Sequence, residues 1–70
     1  METPDFKHAL GQLIYELRQQ QALSQERLAH DADVDRTRMG EIERGGANPT
    51  IDTLSRVAGA LEQTLGSLII

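Results

Sequence analysis

The most constraining feature of this sequence is a segment, residues 23–45, in which two signals for the start of a helix follow each other closely. Ser24 and Asp35 are helix N-cap residues, since their side-chain oxygens accept from backbone N–H groups that lack partners within the helix. An apolar residue before each cap is expected to pack on one inside the following helix, as Leu23 on Leu28 and Val34 on Met39. The segment therefore predicts two short helices joined by a tight turn, a helix-turn-helix at about residues 24–45.

The second helix of this pair, predicted from Arg36 to about Arg44, has two unlike sides. At about 100° per residue, Met39 and Ile42 share one side, which is expected to face the core. The opposite side carries side chains suited to nucleic acid, because Arg pairs with guanine, Glu accepts from cytosine, and Thr reaches a base or a phosphate. That outward side consists of Thr37, Gly40, Glu41 and Arg44, flanked by Arg36 and Arg38.

Gly40 is an unusual residue for the middle of a helix, where glycine costs about 1 kcal/mol relative to alanine. One gain from glycine is a close approach of the backbone to another molecule or segment. The sequence leaves two interpretations open, a close approach to DNA or a close approach to a neighbouring helix.

The rest of the chain predicts three more helices, each with an apolar stripe and its own start signal. The first begins at Thr3 and runs to about Gln20, another follows the cap Thr50, and a short fifth helix starts at Thr64. No stretch alternates with period two. We therefore predict a single domain, residues 1–70, that is a compact all-α bundle of five short helices.

Two turn positions are expected to have unusual backbone angles. Asp33 lies between the two central helices, where a positive φ is expected and Asp tolerates it better than most residues. Gly45-Gly46 is expected to end the third helix, because glycine takes the left-handed conformation without a Cβ penalty.

The charge balance argues against a nucleic-acid partner. Eleven acids against seven bases give a net charge of −4, whereas proteins that bind DNA usually carry a basic surface. Arg36, Arg38 and Arg44 concentrate positive charge on one helix, but Asp35, Glu41 and Glu43 are expected to cancel it. This balance predicts weak non-specific binding to DNA.

Other function classes find little support. The chain has no cysteine, which excludes a disulfide framework, a zinc finger and a thiol nucleophile. His8 and His30 are far apart and are interpreted as surface residues, so no metal or cofactor is expected. No nucleophile–base pair or phosphate-binding glycine loop indicates an enzyme. No apolar run approaches 18 residues, so we expect a cytoplasmic protein without a membrane span.

Several segments together resemble the Xre/Cro-type (lambda-repressor-like) helix-turn-helix domains of phage repressors and bacterial regulators. The similarity covers about residues 10–68. Each segment is weakly diagnostic alone, and their order and spacing are specific. The matching segments are Leu23-Ser24-Gln25-Glu26 with Leu28-Ala29, then Val34, Ile42-Glu43-Arg44-Gly45, Asn48-Pro49-Thr50, and Leu54 through Ala58 to Leu61.

The resemblance implies a role for each matching residue. It also implies a largely buried ion pair between Arg18 and Glu43, so that Glu43 serves the fold rather than DNA. The residues predicted to contact bases are Arg36, Thr37, Gly40 and Glu41, and those predicted to contact phosphates are Gln25, Arg38, Arg44 and Asn48.

Three residues depart from the family's usual pattern: Asp33 stands where glycine is common, Gly40 where serine is common, and Glu41 where a basic or uncharged residue is common. A carboxylate at Glu41 would repel phosphate unless it meets a cytosine or pairs with Arg38 or Arg44. These departures affect the DNA sequence recognised more than the fold.

The resulting hypothesis is a sequence-specific DNA-binding regulator, a repressor that binds a near-palindromic site on double-stranded DNA as a homodimer. The apolar C-terminal residues are expected either to form the dimer contact or to close the core of the monomer. The alternative function, which the acidic charge favours, is an antitoxin-like or adaptor module that binds a protein partner. The dimer-contact residues are Leu65, Leu68, Ile69 and Ile70.

Overall fold

The computed structural model describes the backbone of residues 6–69 and the side chains of residues 6–64. Four helices and no strand occur in residues 6–69, which confirms the all-α prediction. None of the described helices is long and apolar enough to cross a membrane. The helices are α1 (Phe6–Gln20), α2 (Gln25–Asp31), α3 (Arg36–Glu43) and α4 (Ile51–Ile69).

The prediction of a separate fifth helix is wrong, because α4 continues through Thr64 without a break. The Thr64 hydroxyl donates to the carbonyl oxygen of Ala60 at 3.1 Å. A threonine inside a helix often bonds back to the preceding turn in this way, instead of capping a new helix. The predicted start of α1 at Thr3 lies outside the described residues, as do the side chains of the four predicted dimer-contact residues.

The predicted N-caps of α2, α3 and α4 are confirmed. The Ser24 side chain accepts from the backbone N–H of Arg27 at 3.0 Å, and the Thr50 hydroxyl caps α4 in the same manner. The Asp35 carboxylate accepts from the first turn of α3, at 3.0 Å from the nearest backbone nitrogen. Each cap fixes where its helix begins, so α2 and α3 start directly after Ser24 and Asp35 as predicted.

Helices α1, α2 and α3 all end in the same way, with a residue in the left-handed conformation. These residues are Ala22 (φ 55°), Asp33 (φ 57°) and Gly45 (φ 77°). After α2, Asp33 N–H donates to His30 at 3.1 Å and Val34 N–H donates to Ala29 at 2.8 Å. This pair of bonds is the Schellman motif, which satisfies carbonyl groups that the helix leaves open. Asp33 and Gly45 behave as predicted, whereas Ala22 was not anticipated.

The core lies where α3 packs on α1 and α2, and where α2 packs on α4. Leu28, Met39, Ile42 and Val57 are each less than 2% exposed. Leu23 and Val34 pack against this core, which contains their predicted staple partners. Because Met39 and Ile42 hold one side of α3 in the core, the other side is turned outward.

Gly11 sets the distance between α1 and α3. A Cβ on Gly11 would lie 2.5 Å from the carbonyl oxygen of Glu43 and even closer to that of Ile42. These atoms belong to the backbone of α3, so they cannot move aside as a flexible side chain would. Only glycine at this position allows the two helices to cross at the observed separation.

We expect Gly11→Ala to lower the free energy of unfolding by about 3 kcal/mol, because the added methyl group forces two helix backbones apart. Gly59→Ala is the matched control, since a Cβ at Gly59 meets no atom within 4 Å. That change should raise stability by about 0.5–1 kcal/mol through helix propensity. Urea denaturation followed by circular dichroism measures both, and equal effects of the two changes would contradict the close crossing.

Ala22→Gly should raise the free energy of unfolding by about 0.5–1 kcal/mol, because glycine avoids the left-handed penalty that alanine incurs at this φ. Ala9 provides the control, since it is exposed within α1. There the same change should lower stability by about 1 kcal/mol. Thermal unfolding of the two variants should therefore shift in opposite directions, and a lower melting temperature for Ala22→Gly would refute the expectation.

Candidate nucleic-acid interface

The outward side of α3 is open to solvent in the structure. Arg36, Thr37 and Arg38 are all exposed, and Glu41 one turn later is half-buried. Arg44 and Asn48, beyond the end of the helix, are also exposed. No described segment of the chain covers the first turn of α3, so a second molecule has access to it.

Three arginines outside α3 are engaged with acids of the same chain. Arg27 pairs with Asp31 one turn along α2 at 3.0 Å, and its guanidinium holds the pKa of that carboxyl below its ordinary value. Arg18 and Arg56 are also engaged. Arg18 binds Glu43 at 2.8 Å, and Arg56 lies 3.6 Å from Asp33 and 3.5 Å from Asp52.

The three arginines of α3 and its C-cap have no such partner among the described residues. Within the described part of the chain, the side chains of Arg36, Arg38 and Arg44 form no hydrogen bond and no ion pair. Within the described residues, the arginines therefore divide into a group that pairs with acids and a group that does not. The unpaired group lies on the exposed side of one helix and its end.

The acids near α3 do not cancel these arginines by direct pairing. Asp35 accepts from the backbone N–H groups of Thr37 and Arg38, so its carboxylate caps the helix. Glu43 is held by Arg18, and Glu41 forms no ion pair with a described arginine. The expectation that Glu43 offsets the outward arginines is therefore wrong.

Arg18 and Glu43 form a bidentate ion pair between the end of α1 and the end of α3. Arg18 Nε donates to Glu43 Oε2 at 2.8 Å and Nη2 donates to Oε1 at 2.9 Å. Arg18 Nη1 donates to the carbonyl oxygen of Leu23 at 2.9 Å, and its Cζ lies 5.2 Å from the centre of the Tyr15 ring. The two side chains are 10% and 5% exposed, and the Glu43 carboxylate raises the pKa of Arg18.

Gln25 extends this network to the surface. Its Nε2 donates to Glu43 Oε1 at 3.2 Å, and its side chain is half-buried. The first residue of α2 is thereby fixed against the last residue of α3. Of the residues predicted to contact phosphates, Gln25 is the one that the ion-pair network holds in place.

Gly40 is buried, unlike the other three residues predicted to contact bases. A Cβ at this position would lie 3.2 Å from Arg44 Nη1 and 3.4 Å from Gln25 Oε1. Of the two interpretations left open by the sequence, approach to a neighbouring helix is seen in the contact with the Gln25 side chain of α2, and close approach to DNA stays a prediction. The neighbours are side chains rather than a helix backbone.

Two residues that position this interface were not predicted from the sequence. Gly11 lies within the apolar stripe of α1, and a small residue among large apolar ones was its only signal. Tyr15 lies three residues before Arg18 on α1, and this spacing on a helix was the only signal for the contact of its ring with Arg18.

Glu43→Gln should lower the free energy of unfolding by about 3 kcal/mol, because it leaves the Arg18 guanidinium buried without a counter-charge. Asp31→Asn is the control, since it breaks an exposed arginine–aspartate pair on α2, and such pairs contribute little. Urea denaturation at neutral pH compares the two. A loss in Glu43→Gln no larger than that of the control would show that the pair does not hold α1 and α3 together.

The chain is similar to known regulators over most of its length. It is 37% identical over 60 residues to the immunity repressor protein of Bacillus phage phi105, covering 86% of this chain and 42% of the repressor. It is 33% identical over 60 residues to the control protein C.BamHI of Bacillus amyloliquefaciens, covering 84% of this chain and 74% of that protein. The chain thus spans less than half of the phage repressor.

The fold is shared with a solved structure, a mutant of the restriction-modification controller protein C.Esp1396I. The TM-score is 0.77 at 30% identity, with 99% of this chain and 91% of the other covered. The sequence model of one family, described as helix-turn-helix, matches residues 14–68. This chain therefore belongs to the helix-turn-helix family of the Xre/lambda-repressor-like type.

Proposed function

We propose that this chain is a DNA-binding transcriptional regulator that inserts α3 into the major groove. The observation that carries the proposal is that Arg36, Arg38 and Arg44, on the outward side of α3 and its end, pair with no acid in the described part of the chain. Unpaired cations on an exposed helix are available to phosphates and to guanine edges. The similarity to a repressor and to a control protein supports the same function.

The exposed residues divide by their position on the helix. Arg36 and Thr37 lie in the first turn of α3, the part of a recognition helix that reaches base edges. Glu41, one turn further, is placed to accept from a cytosine amino group. The phosphate-contacting residues of this proposal are Gln25, Arg38, Arg44 and Asn48.

The acidic net charge is compatible with this proposal because of where the charges lie. Asp31, Asp33 and Asp52 are opposed by arginines away from α3. Glu43 is opposed by Arg18. The positive charge of α3 therefore acts locally, while the charge of −4 weakens attraction to DNA at long range. We expect binding that depends strongly on DNA sequence, with weak non-specific affinity.

The proposed assembly is a homodimer on a near-palindromic site. One α3 contacts only a few base pairs, and two copies about one helical turn apart on the duplex double the contacts. Occupying a promoter in this way would repress transcription by excluding the polymerase. Leu65, Leu68, Ile69 and Ile70 remain the proposed dimer contacts.

Selection from a random duplex library tests the proposal, using the wild type and Arg36→Ala in parallel. The wild type should enrich a near-palindrome, and the variant should lose preference at one position in each half-site while still binding. The matched control is Arg27→Ala, which removes an arginine paired on α2 and should enrich the same sequence as the wild type. Equal enrichment by Arg36→Ala and wild type would exclude Arg36 from base contact.

The salt dependence of binding separates this function from a protein-binding adaptor. On the selected duplex, affinity should fall steeply with salt, with a slope of about −0.9 for each phosphate neutralised. Absence of any enriched duplex, together with salt-insensitive binding to a protein partner, would favour the adaptor and overturn the proposal.

A further inference from the structure

Gly40 lies in the middle of the outward side of α3, yet it is buried. The nearest atoms that its Cβ would meet belong to Arg44 Nη1, at 3.2 Å, and to the Gln25 amide, whose Oε1 is at 3.4 Å. Side chains from two different helical elements therefore lie over the bare backbone of this residue. A Cβ here would require the end of the Arg44 side chain to move by a few tenths of an ångström, and a larger side chain would displace the guanidinium further.

Arg44 covers Gly40 because of its position one turn later along the chain. Side chains on a helix lean toward its N-terminus, so a residue lies over the one four positions before it. The backbone N–H of Arg44 donates to the Gly40 carbonyl oxygen at 3.1 Å, which keeps the two residues in helical register. The Arg44 guanidinium itself forms no hydrogen bond or ion pair with the described residues.

Gln25 forms the fixed side of the same arrangement. Its Nε2 donates to Glu43 Oε1 at 3.2 Å, and Glu43 is in turn held by Arg18 at 2.8 Å. One N–H of the Gln25 amide is therefore used within the protein, and the other is available to an acceptor outside it. Gly40 separates this anchored amide from the unpaired guanidinium of Arg44.

We infer that Gly40 is a positioning residue for DNA binding, which allows Arg44 to lie across α3 beside Gln25. The two side chains then present their donors together to one DNA phosphate. This inference rests on the proposed DNA-binding function. It adds that the glycine determines whether Arg44 reaches the backbone of the duplex.

Gly40→Leu tests the inference, because leucine favours a helix more than glycine does and its side chain occupies the place of Arg44. On the selected duplex, Gly40→Leu and Arg44→Ala should each weaken binding about tenfold and reduce the salt slope by about 0.9, the value of one phosphate. Circular dichroism and thermal unfolding check that both variants keep the fold.

Combined variants distinguish loss of Arg44 from a direct clash of the new side chain with DNA. In an Arg44→Ala background, Gly40→Leu should weaken binding less than about twofold, since the contact is already lost. In an Arg38→Ala background, the matched control on the same helix, its effect should stay about tenfold. Equal losses in the wild-type and Arg44→Ala backgrounds would overturn the inference.

A measurement without DNA keeps this inference separate from the proposed function. Nitrogen relaxation of the arginine Nε groups should show Arg44 more ordered than Arg36 in the free wild-type protein. Gly40→Leu should reduce the order of Arg44 to that of Arg36. Equal mobility of the two in the wild type would overturn the positioning role, whereas failure of the wild type to bind any duplex would instead refute the proposed function.

Discussion

The ion pair of Arg18 with Glu43 is the interaction on which the placement of α3 depends. Its two hydrogen bonds join the end of α1 to the end of α3, and a third reaches the carbonyl of Leu23, where the chain turns into α2. A buried ion pair contributes little net stability compared with apolar packing, but a broken one is costly. It therefore selects one arrangement of the helices, in which Gln25 also finds its partner on Glu43.

The junctions between helices explain how so short a chain fixes these directions. Leu23 and Val34 each complete the Schellman motif that ends one helix, and each directly precedes the N-cap of the next. The same two side chains pack on the core. Because one residue serves both the end of a helix and the start of another, the turn has little freedom. The angle between α2 and α3 follows from local hydrogen bonds as much as from packing.

Local signals explain what the sequence predicted well. N-caps and apolar spacing act over a few residues, so α2 and α3 were placed nearly as observed. The left-handed Ala22 has no such signal, because alanine rarely adopts that conformation. The need for glycine at position 11 and the contact of Arg56 with Asp33 depend on residues distant in the chain. Thr64 also has the side chain of an N-cap, which led to the wrong prediction of a new helix, because α4 continues through it. The contacts of Arg36 and Thr37 with bases remain predictions.

The tight crossing at Gly11 has a consequence for how this domain can diversify. Gly11 contacts the carbonyl groups of Ile42 and Glu43 on the side of α3 that faces away from solvent. The packing of α1 on α3 therefore does not depend on which side chains lie on the outward side of α3. New residues at positions 36, 37 and 41 would leave that contact intact. The residues proposed to determine DNA preference are thus different from those that hold the helices together. Duplicated copies of this domain could acquire different operators without loss of the fold.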